Sequence, residues 1–197
     1  MDKVQKARLK MVLILAMYVL PLVIAWGWYS YVSSSGVDMG NRANGDLLEK
    51  TYPLEPFEIT DQSGEVINLD RLHGKWALVQ MEPAQCAEPC SKRLYNTRQL
   101  WHALGKEASR VQRISVFVDG SADQKMQASH PDMWFVAQPN AGLVDQLRSA
   151  DGSLPSCNDC VYLLDPFSNV VIRFNGSMDL KDMKSDITRL LKNSRIG

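Results

Sequence analysis

The stretch Trp76–Cys90 reads WALVQMEPAQCAEPC and joins a short apolar run to two closely spaced cysteines. Its first part, Trp76–Met81, is mostly apolar, which is typical of a strand that is buried in a sheet. From Cys90 onwards, apolar residues recur at steps of three and four until Gly105, which predicts a helix with the glycine at its carboxyl end. Cys86 and Cys90 are therefore predicted where a buried strand gives way to the amino terminus of a helix.

This position gives the two cysteines a particular chemistry. The positive end of the helix dipole and the free N–H groups of the first turn favour the thiolate form of a nearby thiol. A thiolate attacks disulfides and binds soft metal ions, and Cu(I) is the metal that sulfur ligands select outside the cytoplasm. Glu82 and Glu88 bracket Cys86, and we expect both carboxylates to lie at the solvated surface.

The other two cysteines also form a close pair, Cys157-Asn158-Asp159-Cys160, just before an apolar strand. We expect the fold to bring this loop next to Cys86 and Cys90, so that the four sulfurs meet. Three interpretations stand at this stage: inert disulfides in any of three connectivities, a zinc site, or a functional dithiol. The three-residue gap in the first pair and an oxidising compartment argue against zinc.

The segments around the cysteines complete an α/β pattern. One hairpin is predicted around the turn Asp61–Gly64 and a second around the turn Pro166–Asn169. Asp179 is predicted to cap a closing helix that runs to Lys192. The order strand, helix, strand, helix, hairpin, helix is that of a thioredoxin-like domain, with a central mixed sheet flanked by helices. The other predicted elements are strands at 76–81, 113–118 and 134–136 and helices at 90–105 and 141–149.

An uncharged run, Met11–Val32, precedes this domain. As a helix it is about 33 Å long, which is enough to cross a bilayer. Basic residues are concentrated before the run, and residues 33–197 hold 18 basic and 21 acidic residues. We therefore expect the amino terminus in the cytoplasm and the domain on the other side. A cleaved signal peptide ending near Ser33–Ser35 is the alternative, but the run is longer than the roughly 7–15 apolar residues of a signal peptide.

The composition excludes several classes of protein. The 22 basic and 22 acidic residues balance and 45% of the chain is hydrophobic, so it is neither disordered nor a polycationic nucleic-acid binder. The motifs of hydrolases, nucleoside triphosphatases and nicotinamide enzymes are absent from the sequence. The predicted segments are a cytoplasmic basic tail (1–10), a transmembrane helix (11–32), a linker (33–53) and a thioredoxin-like domain (54–197).

Four linked features resemble the Sco/SenC-type proteins: LDRLHGK at Leu69–Lys75, the strand WALVQM, a Cys-x-x-x-Cys that opens a helix, and VYLLDP at Val161–Pro166 before a hairpin. The resemblance covers roughly residues 54–192. It implies a membrane-anchored thioredoxin fold that takes part in inserting copper into the dinuclear copper centre of cytochrome c oxidase. Three further segments, Asn44–Leu48, Gly74–Trp76 and Arg98–Leu100, resemble more narrowly a Sco-like subgroup of bacterial membrane proteins associated with oxidase assembly. This narrower resemblance implies a location in the bacterial inner membrane.

The resemblance implies that Cys86 and Cys90 are the copper-binding thiols. It also implies a partner, which is the oxidase subunit that carries the dinuclear copper centre or one of its assembly factors. The chain departs from the family's pattern at two positions. Ser91 follows Cys90 where the family usually has proline, and Cys157 stands where the family has its third copper ligand, a histidine.

The cysteine at position 157 has two interpretations. It supplies a third sulfur, so that Cys86, Cys90 and Cys157 together hold Cu(I). Alternatively, it pairs with Cys160 as a second redox pair that exchanges with the first through mixed disulfides. The first predicts a protein that assists oxidase assembly by delivering Cu(I) or by reducing copper-site thiols. The second predicts a membrane-tethered thiol–disulfide oxidoreductase, and a further alternative is an assembly scaffold whose disulfides are structural.

Overall fold

The computed structural model describes residues 3–34, 43–83, 86–118, 120–137, 141–152, 154–155, 157, 159–194 and 196. The chain divides into two compact units, Met1–Arg42 and Ala43–Gly197. The described part of the first unit is one helix, α1 (Lys3–Ser34), which contains Pro21. Its stretch Arg8–Tyr31 is long and apolar enough to cross a membrane, and large apolar side chains are exposed all around it.

The second unit alternates strands and helices. Its strands are β1 (Asp46–Pro53), β2 (Glu58–Thr60), β3 (Val66–Asn68), β4 (Trp76–Glu82), β5 (Val111–Phe117), β6 (Met133–Ala137), β7 (Val161–Leu164) and β8 (Asn169–Phe174). Its helices are α2 (Leu69–Leu72), α3 (Glu88–Ala103), α4 (Gln124–Ser129), α5 (Ala141–Ala150) and α6 (Leu180–Asn193), with a 3-10 turn at Gly105–Arg110 after α3. The two predicted hairpins, the central strands and the closing helix are confirmed.

Six of the strands form one mixed sheet in the order β1-β8-β7-β4-β5-β6. Strands β4, β5 and β6 run parallel, whereas β7, β8 and β1 join antiparallel to their neighbours. The strands β2 and β3 form a separate antiparallel hairpin. This confirms the predicted α/β fold with a central mixed sheet.

The central strand β4 is covered on both faces, and all seven of its residues are buried. Because side chains alternate along a strand, Trp76 and Leu78 pack on one face with Ile187 of α6. Ala77 and Val79 pack on the opposite face with α5 and the β2–β3 hairpin. A polar side chain on β4 is therefore enclosed whichever face it lies on.

The sheet begins earlier in the chain than the sequence predicts. Asp46–Pro53, which the sequence predicts to be linker, forms β1 and pairs with β8 at the edge of the sheet. Its register shifts between Leu47 and Tyr52, and Leu47 is 45% exposed. An edge strand with few buried side chains lacks the apolar alternation that identifies strands in a sequence, which explains the difference.

The start of this strand is fixed by a buried carboxylate on α6. Asp186 is 2% exposed, and its Oδ2 accepts hydrogen bonds from the backbone N–H groups of Asn44 (2.7 Å) and Gly45 (2.9 Å). Its Oδ1 accepts a third bond, 3.0 Å long, from the Asn44 side-chain amide. A Cβ at Gly45 would approach the ring of Phe174 to 2.7 Å, so the glycine permits the close approach. We call this arrangement the Asp186 clamp.

Candidate functional site

The first cysteine pair lies at the amino terminus of α3, where the sequence places it. Cys86 and Cys90 form a disulfide, with their Cα atoms 5.0 Å apart. The N-cap residue, Ala87, has no polar side chain with which to cap the first turn of the helix. The backbone N–H groups of that turn therefore contribute their partial positive charge beside the sulfurs, where it stabilises a thiolate.

The two sulfurs of this pair differ in exposure. Cys90 is 1% exposed and belongs to a cluster beneath α3 that includes Leu94, Phe117 and Phe135. Cys86 is partly exposed and packs against the edge of the same cluster. An approaching thiol or disulfide therefore reaches Cys86 before Cys90.

A buried ion pair lies one turn of helix from this disulfide. Glu82, the last residue of β4, is fully buried, so the expectation that it is solvated is wrong, whereas Glu88 is exposed as expected. Oε2 of Glu82 accepts a 2.6 Å hydrogen bond from Nη2 of Arg93, and Oε1 accepts a 2.7 Å bond from Nε2 of Gln80. Burial raises the pKa of Glu82, and the Arg93 guanidinium opposes that rise.

Polar contacts continue from this ion pair beneath α3. Oε1 of Gln80 accepts a 2.8 Å hydrogen bond from the Thr97 hydroxyl, and the Thr97 hydroxyl oxygen accepts one of 3.2 Å from Arg113. Arg113 is fully buried and pairs with Asp132 at 2.8 Å. Burial lowers the pKa of Arg113, whereas Asp132 opposes the change. A continuous polar network thus crosses the sheet from β4 to the loop before β6.

The second cysteine pair also forms a disulfide, with the Cα atoms of Cys157 and Cys160 5.6 Å apart. Of the three connectivities that four cysteines allow, the structure has the one within each pair. Cys160 is 1% exposed, whereas Cys157 is partly buried at the edge of the cluster that contains Tyr162. The first cysteine is therefore the accessible one in both pairs.

Asp159 and Cys160 lie on opposite faces of the sheet. The carbonyl of Cys160 accepts a 3.2 Å hydrogen bond from the N–H of Met81, and its side chain packs on the face covered by α5. Asp159 reaches the face covered by α3, where its Oδ2 lies 3.5 Å from Nη1 of Arg93. Arg93 therefore contacts one carboxylate near each disulfide, Glu82 and Asp159.

The four sulfurs do not form one group, contrary to the expectation from the sequence. The first disulfide packs on the α3 face of the sheet and the second packs on the α5 face. Among the residues that the structure describes, no three His, Cys, Asp or Glu side chains are grouped so as to hold a metal ion. The three-sulfur set Cys86, Cys90 and Cys157 is thus not assembled while both pairs are oxidised.

A second buried ion cluster fixes the loop that carries Cys157. Arg173 pairs with Asp46 at 2.9 Å and with Asp151 at 3.2 Å, and it donates a 2.7 Å hydrogen bond to the carbonyl of Pro155. Asp151 also accepts a hydrogen bond from the Tyr162 hydroxyl. Burial raises the pKa of Asp151, and Arg173 opposes the rise. Arg173 therefore holds Asp151 and Pro155, which lie in the first half of the loop between α5 and β7.

The turn after β8 closes over Asp159. A Cβ at Gly176 would collide with the carbonyl oxygen of Asp159 and would approach Cδ of Arg93 to 3.0 Å. Between this turn and the first turn of α3 lies an open groove of about 430 Å³, whose lining includes Pro89, Arg93 and Asp159. Because Pro89 precedes Cys90, the groove lies beside the first disulfide.

Sequence reasoning did not find Arg93 or Asp159. Arg93 follows Cys90 by one helical turn, so its position on the predicted helix was a usable signal for a contact with the end of β4. Asp159 lies between the second pair of cysteines, but nothing local indicates that it turns away from Cys160 towards α3. The contact joins residues 66 positions apart and depends on the tertiary fold.

Residues 76–194 match the family described as the transmembrane-like, thioredoxin-like, C-terminal domain. The chain belongs to this family. The matched segment of this transmembrane-like, thioredoxin-like protein begins at β4 and ends just after α6, so it contains both cysteine pairs. No curated protein matches the sequence.

Solved structures of Sco proteins share this fold. ScoI of Bradyrhizobium japonicum, solved with copper bound, is 21% identical, with a TM-score of 0.54 over 70% of this chain and 98% of that one. BsSco, a Sco-family cytochrome c oxidase assembly protein with a disulfide switch, is 21% identical, with a TM-score of 0.56 over 76% and 98%. A thiol:disulfide interchange protein, DsbE from Chlorobium tepidum, is 19% identical, with a TM-score of 0.55 over 73% and 99%. The likeness confirms the predicted thioredoxin-like fold.

Proposed function

We propose that this chain is a membrane-anchored dithiol protein of Sco type that assists cytochrome c oxidase assembly through Cys86 and Cys90. The observation that carries the proposal is the disulfide at the amino terminus of α3, in which Cys86 is accessible and Cys90 is buried. Once reduced, such a pair offers two soft ligands for Cu(I) or two electrons for another disulfide. The fold it shares with a copper-bound ScoI and with an oxidase assembly protein supports this assignment.

In the reducing role, the Cys86 thiolate attacks a disulfide formed by the copper-site cysteines of the oxidase subunit. A mixed disulfide forms and one thiolate leaves the partner. Cys90 then attacks the sulfur of Cys86, which releases the second partner thiolate and closes the Cys86–Cys90 disulfide. Two electrons pass to the partner, and its two thiolates take up the protons that Cys86 and Cys90 lose.

The location of the protein is part of the same proposal. Helix α1 anchors the domain in the bacterial inner membrane, with the basic residues before it in the cytoplasm and the domain outside. Its length and apolar composition support a membrane span. The expected partner is the membrane-bound oxidase subunit that carries the dinuclear copper centre, or one of its assembly factors.

Anaerobic Cu(I) titration of the reduced full chain in detergent, against a competing chelator, tests the copper role. We expect one Cu(I) per chain, lost when Cys86 or Cys90 is replaced by serine. Cys157→Ser weakens binding if a third sulfur joins the site after reduction, and the matched variant Cys160→Ser controls for loss of the other thiol of the second pair. Unchanged stoichiometry in Cys86→Ser would exclude the proposed copper ligands.

A second candidate function is thiol–disulfide exchange with Cys157–Cys160 as an electron relay. The observation that favours it is that Cys157 is bonded to Cys160, while Asp159 between them contacts Arg93 beside the first pair. Replacement of the buried Cys90 by serine then traps a mixed disulfide on Cys86. A trapped partner, together with a reduced chain that does not take Cu(I) from the competing chelator, would favour this function. The copper role instead predicts that the reduced chain binds Cu(I) tightly.

A further inference from the structure

The outward face of α6 carries cations that the dithiol site does not use. Lys181, Lys184, Arg189 and Lys192 are all exposed on it. Together with Ser185 and Thr188 they line a shallow depression of about 390 Å³, and no carboxylate is among these lining residues. We call this surface the α6 cationic face.

The acidic residues of the helix lie away from this depression. Asp186 is buried in the clamp with Asn44 and Gly45, and Arg189 lies 3.9 Å from its Oδ1. Asp182 is partly buried and is not part of the lining. Since residues 33–197 have three more acidic than basic residues, the α6 cationic face has the opposite charge to the domain that carries it.

We propose that the α6 cationic face binds anionic phospholipid headgroups of the membrane in which α1 is anchored. Lysine ammonium groups act as point charges for phosphodiesters, while Ser185 and Thr188 add hydroxyl donors. Several basic side chains on a helix at a membrane surface are the usual means of attraction to anionic lipids. The proposal rests on the anchoring of the chain by α1.

The length of the segment after α1 limits how far the domain can lie from a membrane in which α1 is anchored. The Asp186 clamp bonds Asn44 to α6, so the chain enters the domain on this helix. Nine residues, 35–43, separate the end of α1 from Asn44. Even fully extended they reach only about 30 Å. An anionic membrane surface within that distance would have the charge that complements the α6 cationic face.

Lysine labelling tests the proposal on the full chain in vesicles. The protein is reconstituted into phosphatidylcholine alone or mixed with phosphatidylglycerol, and amine acylation rates are measured by mass spectrometry. We expect labelling at Lys184 and Lys192 to slow about threefold or more with phosphatidylglycerol, reversibly in high salt. Labelling at Lys75 and Lys125, which are exposed elsewhere, should not change. Equal rates at Lys184 in both vesicles would overturn the proposal.

A charge-reversed pair supplies the matched control. In Lys184→Glu/Lys192→Glu the protection of Lys181 by phosphatidylglycerol is lost, whereas Lys106→Glu/Lys125→Glu, with the same change in net charge, retains it. Inorganic phosphate added to phosphatidylcholine vesicles should give no protection. Equal protection by phosphate would assign a free-anion site, and protection that needs an added acidic protein would assign a protein partner; either result overturns the lipid proposal.

Alkaline carbonate extraction distinguishes failure of the membrane anchor from failure of the lipid contact. Chain that stays in the vesicles without lysine protection refutes the lipid contact alone. Chain released by carbonate refutes both the anchor and the contact.

Discussion

At the scale of single residues, Arg93 sets the charge balance around the cysteines. It is 7% exposed and lies between the carboxylates of Glu82 and Asp159. A buried ion pair adds little net stability when it is complete, but removal of one partner leaves a charge in the interior without compensation. The consequences of losing Arg93 therefore depend on the protonation of Glu82.

We expect Arg93→Met to lower the free energy of unfolding by about 3 kcal/mol at pH 8 and by less at pH 5. Burial already raises the pKa of Glu82, and loss of Arg93 raises it further. A carboxyl group whose folded-state pKa is raised stabilises the fold below its ordinary pKa, and that stability is lost as the pH rises through the raised value. Urea unfolding at the two pH values, followed by circular dichroism, measures the difference.

The double variant Glu82→Gln/Arg93→Met is the control for this prediction. It removes both charges, so most of the lost stability at pH 8 should return and the pH dependence should flatten. A double variant as unstable as Arg93→Met would show that packing of the Arg93 stem, not the charge pair, causes the loss.

The same residues show what a sequence reveals of a site. Cys86 and Cys90 could be placed at a strand–helix junction because strand, loop and helix signals are local. The burial of Glu82 could not be predicted in this way, since it depends on the packing of α3 over the end of β4, where Glu82 lies beside Phe117 of β5. The pairing within each cysteine pair also depends on the faces of the sheet that the two loops reach.

At the scale of elements, the turn after β8 holds Asp159 against α3. We expect Gly176→Ala to destabilise the domain by about 1–3 kcal/mol, because the new methyl group collides with backbone rather than with a flexible side chain. Thermal unfolding measures the effect, and Ser177→Ala is the control, since its hydroxyl is exposed and bonds only locally to Asn175. A stability equal to that of the control would show that the turn shifts at no cost.

The Asp186 clamp is a second point at which an element is fixed. We expect Asp186→Asn to cost about 2 kcal/mol, because the amide retains one acceptor oxygen where three N–H donors need two. Hydrogen exchange of the β1 amides should become faster, while exchange in β4 and β5 should not change. Faster exchange throughout the sheet would instead indicate global destabilisation.

The elements also differ in how well sequence predicts them. β4, β5 and the two hairpins have short apolar runs bounded by turn residues, so their positions were correct. β1 was missed because its pairing with β8 is a tertiary contact of an exposed edge. The short helices α2 and α4 were missed because each is too brief to show a helical period; Asn68 and Asp123 cap them.

At the scale of the whole molecule, both disulfides close very short loops, with sequence separations of 4 and 3. Chain-entropy arguments assign about 2 kcal/mol to a loop of this size. A six-stranded sheet with helices on both faces does not need that contribution to fold. We therefore expect full reduction to lower the Tm by about 10 °C and to leave the far-ultraviolet circular dichroism unchanged.

The effect of reduction distinguishes a redox-active dithiol from a disulfide that only stabilises the fold. Calorimetry and circular dichroism with and without reductant measure it, and Cys157→Ser/Cys160→Ser gives the share of the second pair. Unfolding on reduction would support an assembly scaffold whose cysteines serve the fold, because a pair that cycles between redox states needs a domain that is folded in both.

The Asp186 clamp also has a mechanical consequence. Thermal motion of a tethered domain pulls repeatedly on the residue where the tether enters it. Here that load falls first on three hydrogen bonds from Asn44 and Gly45 to a carboxylate of α6, which lie ahead of β1 in the chain. Without them, tension would open the β1–β8 ladder one pair at a time, starting from Asp46 and Arg173. The clamp therefore secures the residues through which the chain enters the edge strand β1.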